Sequence, residues 1–232
     1  SVIVIGCGGL GSSALYWLSR ELGGSVLGLE QFALGHANGG SQDHSRIIRL
    51  AQHEAPYAAL APHAYECFHT AEEEGGLQVV HKTGGLIVED PEHRDAATVG
   101  KRNIDGYVEA FEAFGFAYER LDASELMERY PQWHLRGHER AVFQRESGLV
   151  DPGKANALHL ALARARGAEI QAECPVRAIV PEDDSIRVET DGATYRADRV
   201  VVTSGAWTNR VLAGAGLELP LTVTQEQVTY YA

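Results

Sequence analysis

The chain has 232 residues, of which 44% are hydrophobic and 22% charged, and its formal net charge is −12. That is enough apolar chain to bury a substantial core, in one large domain or two small ones. The acidic balance argues against nucleic acid or an anionic membrane surface as the main partner, yet it leaves room for one basic pocket that takes a small anion.

"VIVI" (2–5) is a β-branched apolar run of the kind that forms a buried parallel strand. "GCGGLG" (6–11) follows, then "SSALYWLSREL", with Leu15, Leu18 and Leu22 at helical spacing. Glycines 23 and 24 stop that helix, and "SVLGLE" (25–30) reads as a second strand. A β-turn-α-β unit of about thirty residues requires a right-handed crossover and a parallel sheet. After a loop at 31–45, a helical region is expected to run to about 74, in pieces where Pro56 and Pro62 interrupt it. "HKTGGLIVE" (81–89) reads as a strand, and 92–129 as mostly helical, with Asp122 and Glu125 spaced as a capping box. "AVFQRESGLV" (141–150) returns to strand and turn. "DPGKANALHLALARARG" (151–167) carries helix signals at both ends, Pro152 at its start and Gly167 at its exit. "AEIQ", "PVRAIV", "SIRVET" and "TYRADRVVVTSG" then read as strands, three of them as a small meander. Tyr57, Tyr65, Trp17 and Phe68 read as helix packing.

The expected class is therefore α/β: a Rossmann-type domain with a parallel sheet, plus a mixed-sheet α+β domain. The sequence places the first in 1–77 and 146–215 and the second in 78–145 and 216–232. The chain opens on a strand without a methionine and closes near another, which reads as a piece of a longer protein. Cys7, Cys67 and Cys174 are odd in number and lack metal-ligand spacing, so neither a disulfide framework nor a metal site is expected. A reducing compartment fits them. No stretch has the apolar length of a membrane span.

A lone GxGxxG is weak, but this copy sits between a strand and a helix, and Glu30 ends the next strand 24 positions after Gly6. Gly6 permits the tight turn, Gly8 lets backbone approach a pyrophosphate, and Gly11 allows close helix packing. The helix N-terminus favours phosphate charge, and Glu30 would accept from the ribose hydroxyls. An acid here favours a 2′-hydroxyl over a 2′-phosphate without separating NAD from FAD. Gly28, inside the second strand, reads as close packing.

Three further stretches bear on that choice. "SQDHSRIIR" (41–49) brackets two isoleucines with Arg46 and Arg49, as though at the start of a helix. With the opening 30 residues and "VVVTSGAWTNRVL", it resembles the FAD-dependent amine oxidases typified by monomeric sarcosine oxidase and N-methyltryptophan oxidase. The similarity extends to "KTGGLIVE", "ESGLVDPGKANALHLALARARGAEI" and "LELPLTVTQEQVTYY", and so spans nearly the whole chain.

The resemblance implies FAD as cofactor, with Gly6, Gly8, Gly11, Glu30, Gly40, Ser41, Ser45, Arg46, Val176, Gly205 and Trp207 around it. The catalytic pair is Arg46, against the flavin ring, and Arg49, pairing with a substrate carboxylate, with Ile47 and Ile48 as an apolar anchor. A cation by the ring stabilises charge that develops on reduction, and a guanidinium suits bidentate carboxylate recognition. Trp207 reads equally as core packing. The implied reaction is oxidation of an N-methyl or other secondary amino acid to an imine, with dioxygen reduced to hydrogen peroxide, by a cytoplasmic monomer (peroxisomal in a eukaryote). An FAD dehydrogenase or a primary amino-acid oxidase of the same fold is the first alternative. A non-catalytic nucleotide-binding module is another, and an NAD-linked dehydrogenase a third that "GCGGLG" alone permits.

Departures from the family are local. Members often carry His-Gly before the Arg-Ile-Ile-Arg motif, where this chain has Gln42 and Asp43 with His44 one place later. Glu226 stands where sarcosine oxidases tend to carry arginine. The family's flavin-linking cysteine and oxygen-activating lysine lie in a part with no counterpart in these residues, so covalent attachment of the flavin is left open.

Overall fold

A computed structural model describes residues 1–52, 54–92, 103–225 and 229. The first elements are β1 (Val2–Ile5), α1 (Gly9–Leu22), a 3-10 turn (Gly23–Ser25), β2 (Val26–Leu29) and β3 (Arg46–Ile48). They are followed by α2 (Ala55–Gly75), β4 (Val80–His81), β5 (Gly85–Glu89), α3 (Ile104–Phe114) and β6 (Glu119–Asp122). Next come α4 (Ala123–Arg129), β7 (Arg140–Gln144), β8 (Gly148–Val150), α5 (Pro152–Ala165) and β9 (Glu169–Gln171). The last are β10 (Val176–Pro181), β11 (Ile186–Thr190), β12 (Thr194–Ala197), β13 (Arg199–Val202), a 3-10 turn (Gly205–Trp207) and α6 (Thr208–Leu212).

Two compact units emerge, Ser1–His44 with Pro152–Ala232, and Ser45–Asp151. The domain reading from sequence groups 45–77 with the nucleotide-binding part, whereas contact density groups 45–151 together.

In the first unit β13-β1-β2-β9 form a parallel sheet, with Val2 opposite Arg199 on one side and Val26 on the other. Alternation explains why β1 is apolar throughout. Ile3 and Ile5 join Leu29, Ile179, Val188 and Val211 on one face, and Val4 joins Leu15, Val26 and Leu160 on the other. The antiparallel meander β10-β11-β12 supplies part of the first of these cores. On the second, the ring of His159 on α5 stacks against Tyr16 of α1, centroids 5.6 Å apart. Burial pushes the His159 imidazole down to about 4, so the ring is neutral near pH 7.

The second unit holds two antiparallel three-stranded sheets, β3-β8-β4 and β5-β7-β6, with α3 covering a core of Ala51, Ile104, Val108, Phe111 and Val142. The capping box is present. Asp122 accepts the Glu125 N–H and Glu125 accepts the Asp122 N–H, both at 2.9 Å.

Four local expectations are corrected. Residues 46–48 are strand, because Arg46, Ile47 and Ile48 pair antiparallel with Val150, Leu149 and Gly148. That pairing lies about a hundred residues away in sequence, beyond the reach of a local pattern. Residues 119–122 are strand as well, paired with β7. The prolines do not divide α2: Pro56 occupies its first turn and Pro62 lies inside one continuous helix. A proline in the first turn removes no helical bond, and burial of Ala58, Ala61 and Ala71 offsets the bond lost at Pro62. Tyr57 is exposed rather than packed.

Candidate functional site

Each unit carries a cleft built from residues the sequence singled out. In the first, β1 runs into Gly6 at φ +92°, a left-handed conformation glycine adopts without strain. A Cβ on Gly6 would stand 2.7 Å from the Thr203 carbonyl oxygen, and one on Gly11 only 1.7 Å from the Gly6 oxygen. The start of α1 therefore presses directly on the end of β1. Gly28 meets Leu15 in the same way, which is the packing role expected of it. Gly8 is the N-cap of α1, whose first turn has no acidic residue. The Gly9 N–H donates to Ser41 Oγ at 2.8 Å, so the Ser41 hydroxyl stands over the helix N-terminus.

Glu30, 5% exposed, continues from β2. Its Oε2 accepts the Cys7 N–H at 2.8 Å, its Oε1 accepts the Phe32 N–H at 3.1 Å, and His36 Nε2 lies 3.3 Å from the same Oε1. Burial, with the Glu30 charge beside it, pushes the Cys7 thiol up to about 12 and keeps it protonated. A small, solvent-open cleft is lined among others by Gly6, Leu29, Gln31, Val176, Ser204 and Trp207. Trp207 meets Phe32 edge-on at 5.6 Å. Gly205 is exposed at φ +53°, with nothing within 4 Å of a built Cβ, and Gly40 is exposed with the same open surroundings.

Sequence reasoning missed two supports. Asn156 on α5 donates from Nδ2 to the Ser41 carbonyl at 3.1 Å, and its Oδ1 accepts from Ser12 at 3.3 Å. Thr203 Oγ1 donates to the Gly6 carbonyl at 2.8 Å. A small polar residue in an apolar helix or after a strand is the only signal of either.

In the second unit, alternation along β3 turns Arg46 and Ile48 to one face and Ile47 to the other. Ile48 is 8% exposed and Ile47 72%, so only Ile48 is an apolar anchor. Arg46 Nη1 donates to the carbonyl of Ser45 at 3.0 Å. Arg49 joins Ile47 and Leu149 in lining a solvent-open cavity of about 240 Å³, with Ile87, Phe111 and Val142 among its apolar walls. Its guanidinium lies over the Tyr107 ring at 5.7 Å and makes no ion pair among the described residues. Of the residues lining the cavity, Arg49 alone is charged. Gln144, at the end of β7, lines it too; no local pattern marks this residue.

His44 is exposed, its N–H donating to Asp43 Oδ1 at 2.7 Å, and Asp43 adopts φ +98°. Glu226 lies outside the described residues. Asp90, His138 and Glu139 could share a cation by spacing. Glu139 is already taken up by the N–H groups of Arg136 and Gly137, and Arg136 approaches Asp90 at 3.6 Å. No described helix is long and apolar enough to cross a membrane.

Residues 1–232 match the sequence profile of the FAD dependent oxidoreductase family. The monomeric sarcosine oxidase of Streptomyces avermitilis is 37% identical over 231 residues, covering 99% of this chain and 57% of that protein. N-methyl-L-tryptophan oxidase from Escherichia coli is 26% identical over 231 residues, covering 99% of the chain and 59% of its own length. A solved open form of a variant of NikD, an unusual amino acid oxidase essential for nikkomycin biosynthesis, superposes with a TM-score of 0.84. Its identity is 27%, and the match covers 94% of this chain and 54% of that one. The chain thus spans little more than half the length of these relatives.

Proposed function

The chain belongs to the family of FAD-dependent oxidoreductases, and from that membership we propose that the protein oxidises an N-methyl or other secondary amino acid to an imine. The substrate loses two electrons and two protons, and dioxygen takes them up as hydrogen peroxide. The observation that carries the substrate class is Arg49, the one charged residue lining an otherwise uncharged cavity and without a carboxylate partner among the described residues. A guanidinium so placed suits a small carboxylate, held by two parallel N–H···O bonds. Relatives named for N-methylglycine and N-methyl-L-tryptophan oxidation support the same class.

The first unit's residues fit a dinucleotide on three counts. Gly6 and Gly11 occupy positions a side chain would block, so the turn can close tightly with backbone against backbone. The Ser41 hydroxyl accepts the Gly9 N–H and keeps its own O–H to donate to a phosphate oxygen, beside the positive end of α1. Glu30, with Cys7, Phe32 and His36 arranging its carboxylate, retains lone-pair capacity for a ribose hydroxyl. Gly8 gives backbone access to the diphosphate, Val176 and Gly205 border the nucleotide, and Trp207 walls the cleft. Gly40 and Ser45 belong to the loop that leads to Arg46.

Bound FAD would supply the acceptor for the hydride equivalent that leaves the carbon beside the amine. Arg49 fixes the substrate by its carboxylate and so orients that carbon. Arg46, on the other face of β3, offers positive charge where negative charge develops on reduction. The three free cysteines support a reducing compartment, and a cytoplasmic monomer is the setting we propose.

Steady peroxide release from N-methylglycine under air is the expected result. Turnover only with an artificial electron acceptor would sink the oxidase claim in favour of a dehydrogenase. Colourless purified protein that takes up no FAD would sink the enzyme reading itself.

A further inference from the structure

Arg49 sits just past the end of a three-residue strand, where a chain has few constraints of its own. Before it, Ile48 pairs with Gly148. After it, the N–H groups of Leu50 and Ala51 both donate to one acceptor, Gln144 Oε1, each at 3.1 Å. Ser147 Oγ donates to the same oxygen at 3.0 Å. Gln144 is 2% exposed, ends β7, and opens the turn that leads into β8. The amide has one workable orientation, because turning it over would set its NH2 against the two backbone N–H groups. Its Nε2 is buried with no hydrogen-bond partner among the described residues. The side chain therefore tolerates one unpaired buried donor, normally unfavourable, while its oxygen takes three.

We propose that Gln144 is the positioning residue of Arg49: by gathering the Leu50 and Ala51 N–H groups onto the β7–β8 turn, it fixes where the guanidinium stands in the cavity. The proposal rests on Arg49 being the carboxylate anchor. An apolar residue of similar length at 144 would leave two adjacent N–H groups unpaired, the Ala51 one buried and the Leu50 one half-buried. They would regain partners only if the segment after Arg49 moved, and a displaced anchor loses affinity for an anion. Ser147, which holds the acceptor in line, contributes in the same direction with less effect.

The test uses FAD-loaded protein titrated with acetate and with its neutral analogue acetamide, followed by difference absorbance of the flavin. Gln144→Met should weaken acetate about tenfold, from two neutral hydrogen bonds lost, and weaken acetamide, which the guanidinium does not pair with as an ion, clearly less, with FAD still bound. Ser147→Ala should weaken acetate by roughly two- to threefold, since one of three bonds to the acceptor goes. Unchanged acetate affinity in soluble Gln144→Met overturns the proposal, as does an equal loss for acetate and acetamide, which would mean general loosening. Should Gln144→Met fail to fold, unchanged acetate affinity in Ser147→Ala overturns it. Arg49→Ala separates the two levels. Loss of acetate binding there but not at 144 removes only the role of Gln144, and no loss at either position removes the Arg49 anchor and this inference together.

Discussion

The nucleotide loop and the Arg49 cavity take shape by opposite means. A Cβ on Gly11 would meet the loop's own Gly6 oxygen, and one on Gly6 would meet the Thr203 carbonyl just past β13, so backbone packed on backbone shapes the turn. Arg49 depends on Gln144, which lies 94 residues from the N–H group it receives at Leu50. The first surface is mostly backbone, and in such a place the absence of a side chain is the functional feature. The second is one charged side chain, whose value depends on what surrounds it. A surface of close-packed backbone should fail completely when one atom is added, and one that rests on a side chain held by hydrogen bonds should fail by degrees.

Gly11→Ala is the strongest test of the first half of that contrast. The added Cβ would lie 1.7 Å from a backbone oxygen, which no rotamer change relieves. Stability should fall by more than about 3 kcal/mol, the upper end for overpacking, with loss of bound FAD, as read by urea unfolding and flavin absorbance. Gly40→Ala, in the same region but with nothing within 4 Å of its built Cβ, should change stability by less than about 0.5 kcal/mol. Equal effects at the two positions would remove close backbone approach as the reason for the glycines.

The same contrast decides what could be read in advance. The β1-loop-α1-β2 unit was legible because strand run, glycine spacing and the acid at 30 are all local, and the β10-β11-β12 meander because its strands follow one another. The strand at 46–48 was not, since "SRIIR" becomes strand only through partners at 148–150. Ile47 and Ile48 look equivalent in sequence and differ in exposure because alternation sends one of them to each face. Asn156 and Gln144 leave no trace in the sequence pattern for a related reason. Each is a single amide whose partners are remote in sequence, so no spacing records them.

Acid should separate the two units. His159, stacked on Tyr16 in the first, is held neutral with its titration lowered from 6.5 to about 4. Between those values the unfolded chain binds the proton and the folded chain does not, so stability is full above pH 6.5 and erodes as pH falls toward 4. At 1.36 kcal/mol per unit the loss amounts to about 3 kcal/mol. His159→Phe keeps a ring against Tyr16 and should flatten this acid limb in urea unfolding measured from pH 7 to 4. An unchanged slope would mean that the α1–α5 packing is not where acid acts.

The finest discrimination comes from the arginine pair. A helix start would have put Arg46 and Arg49 on one face, where they would act as a unit. The strand divides them, Arg46 with buried Ile48 and Arg49 with the exposed Ile47 in the cavity wall. Arg49→Ala should weaken a carboxylate ligand roughly ten- to a hundredfold, the value of a charge-assisted pair at about 1.5–3 kcal/mol, while FAD stays bound. Arg46→Ala should chiefly slow flavin reduction, with carboxylate affinity nearly unchanged. If the two guanidinium groups serve different partners, as proposed, the double variant should show the sum of the separate free-energy losses, within about 0.5 kcal/mol. A larger coupling, measured by substrate titration and stopped-flow reduction on all four proteins, would mean that the arginines share a partner. The strand would then have to bend enough after Ile48 to bring them onto one side.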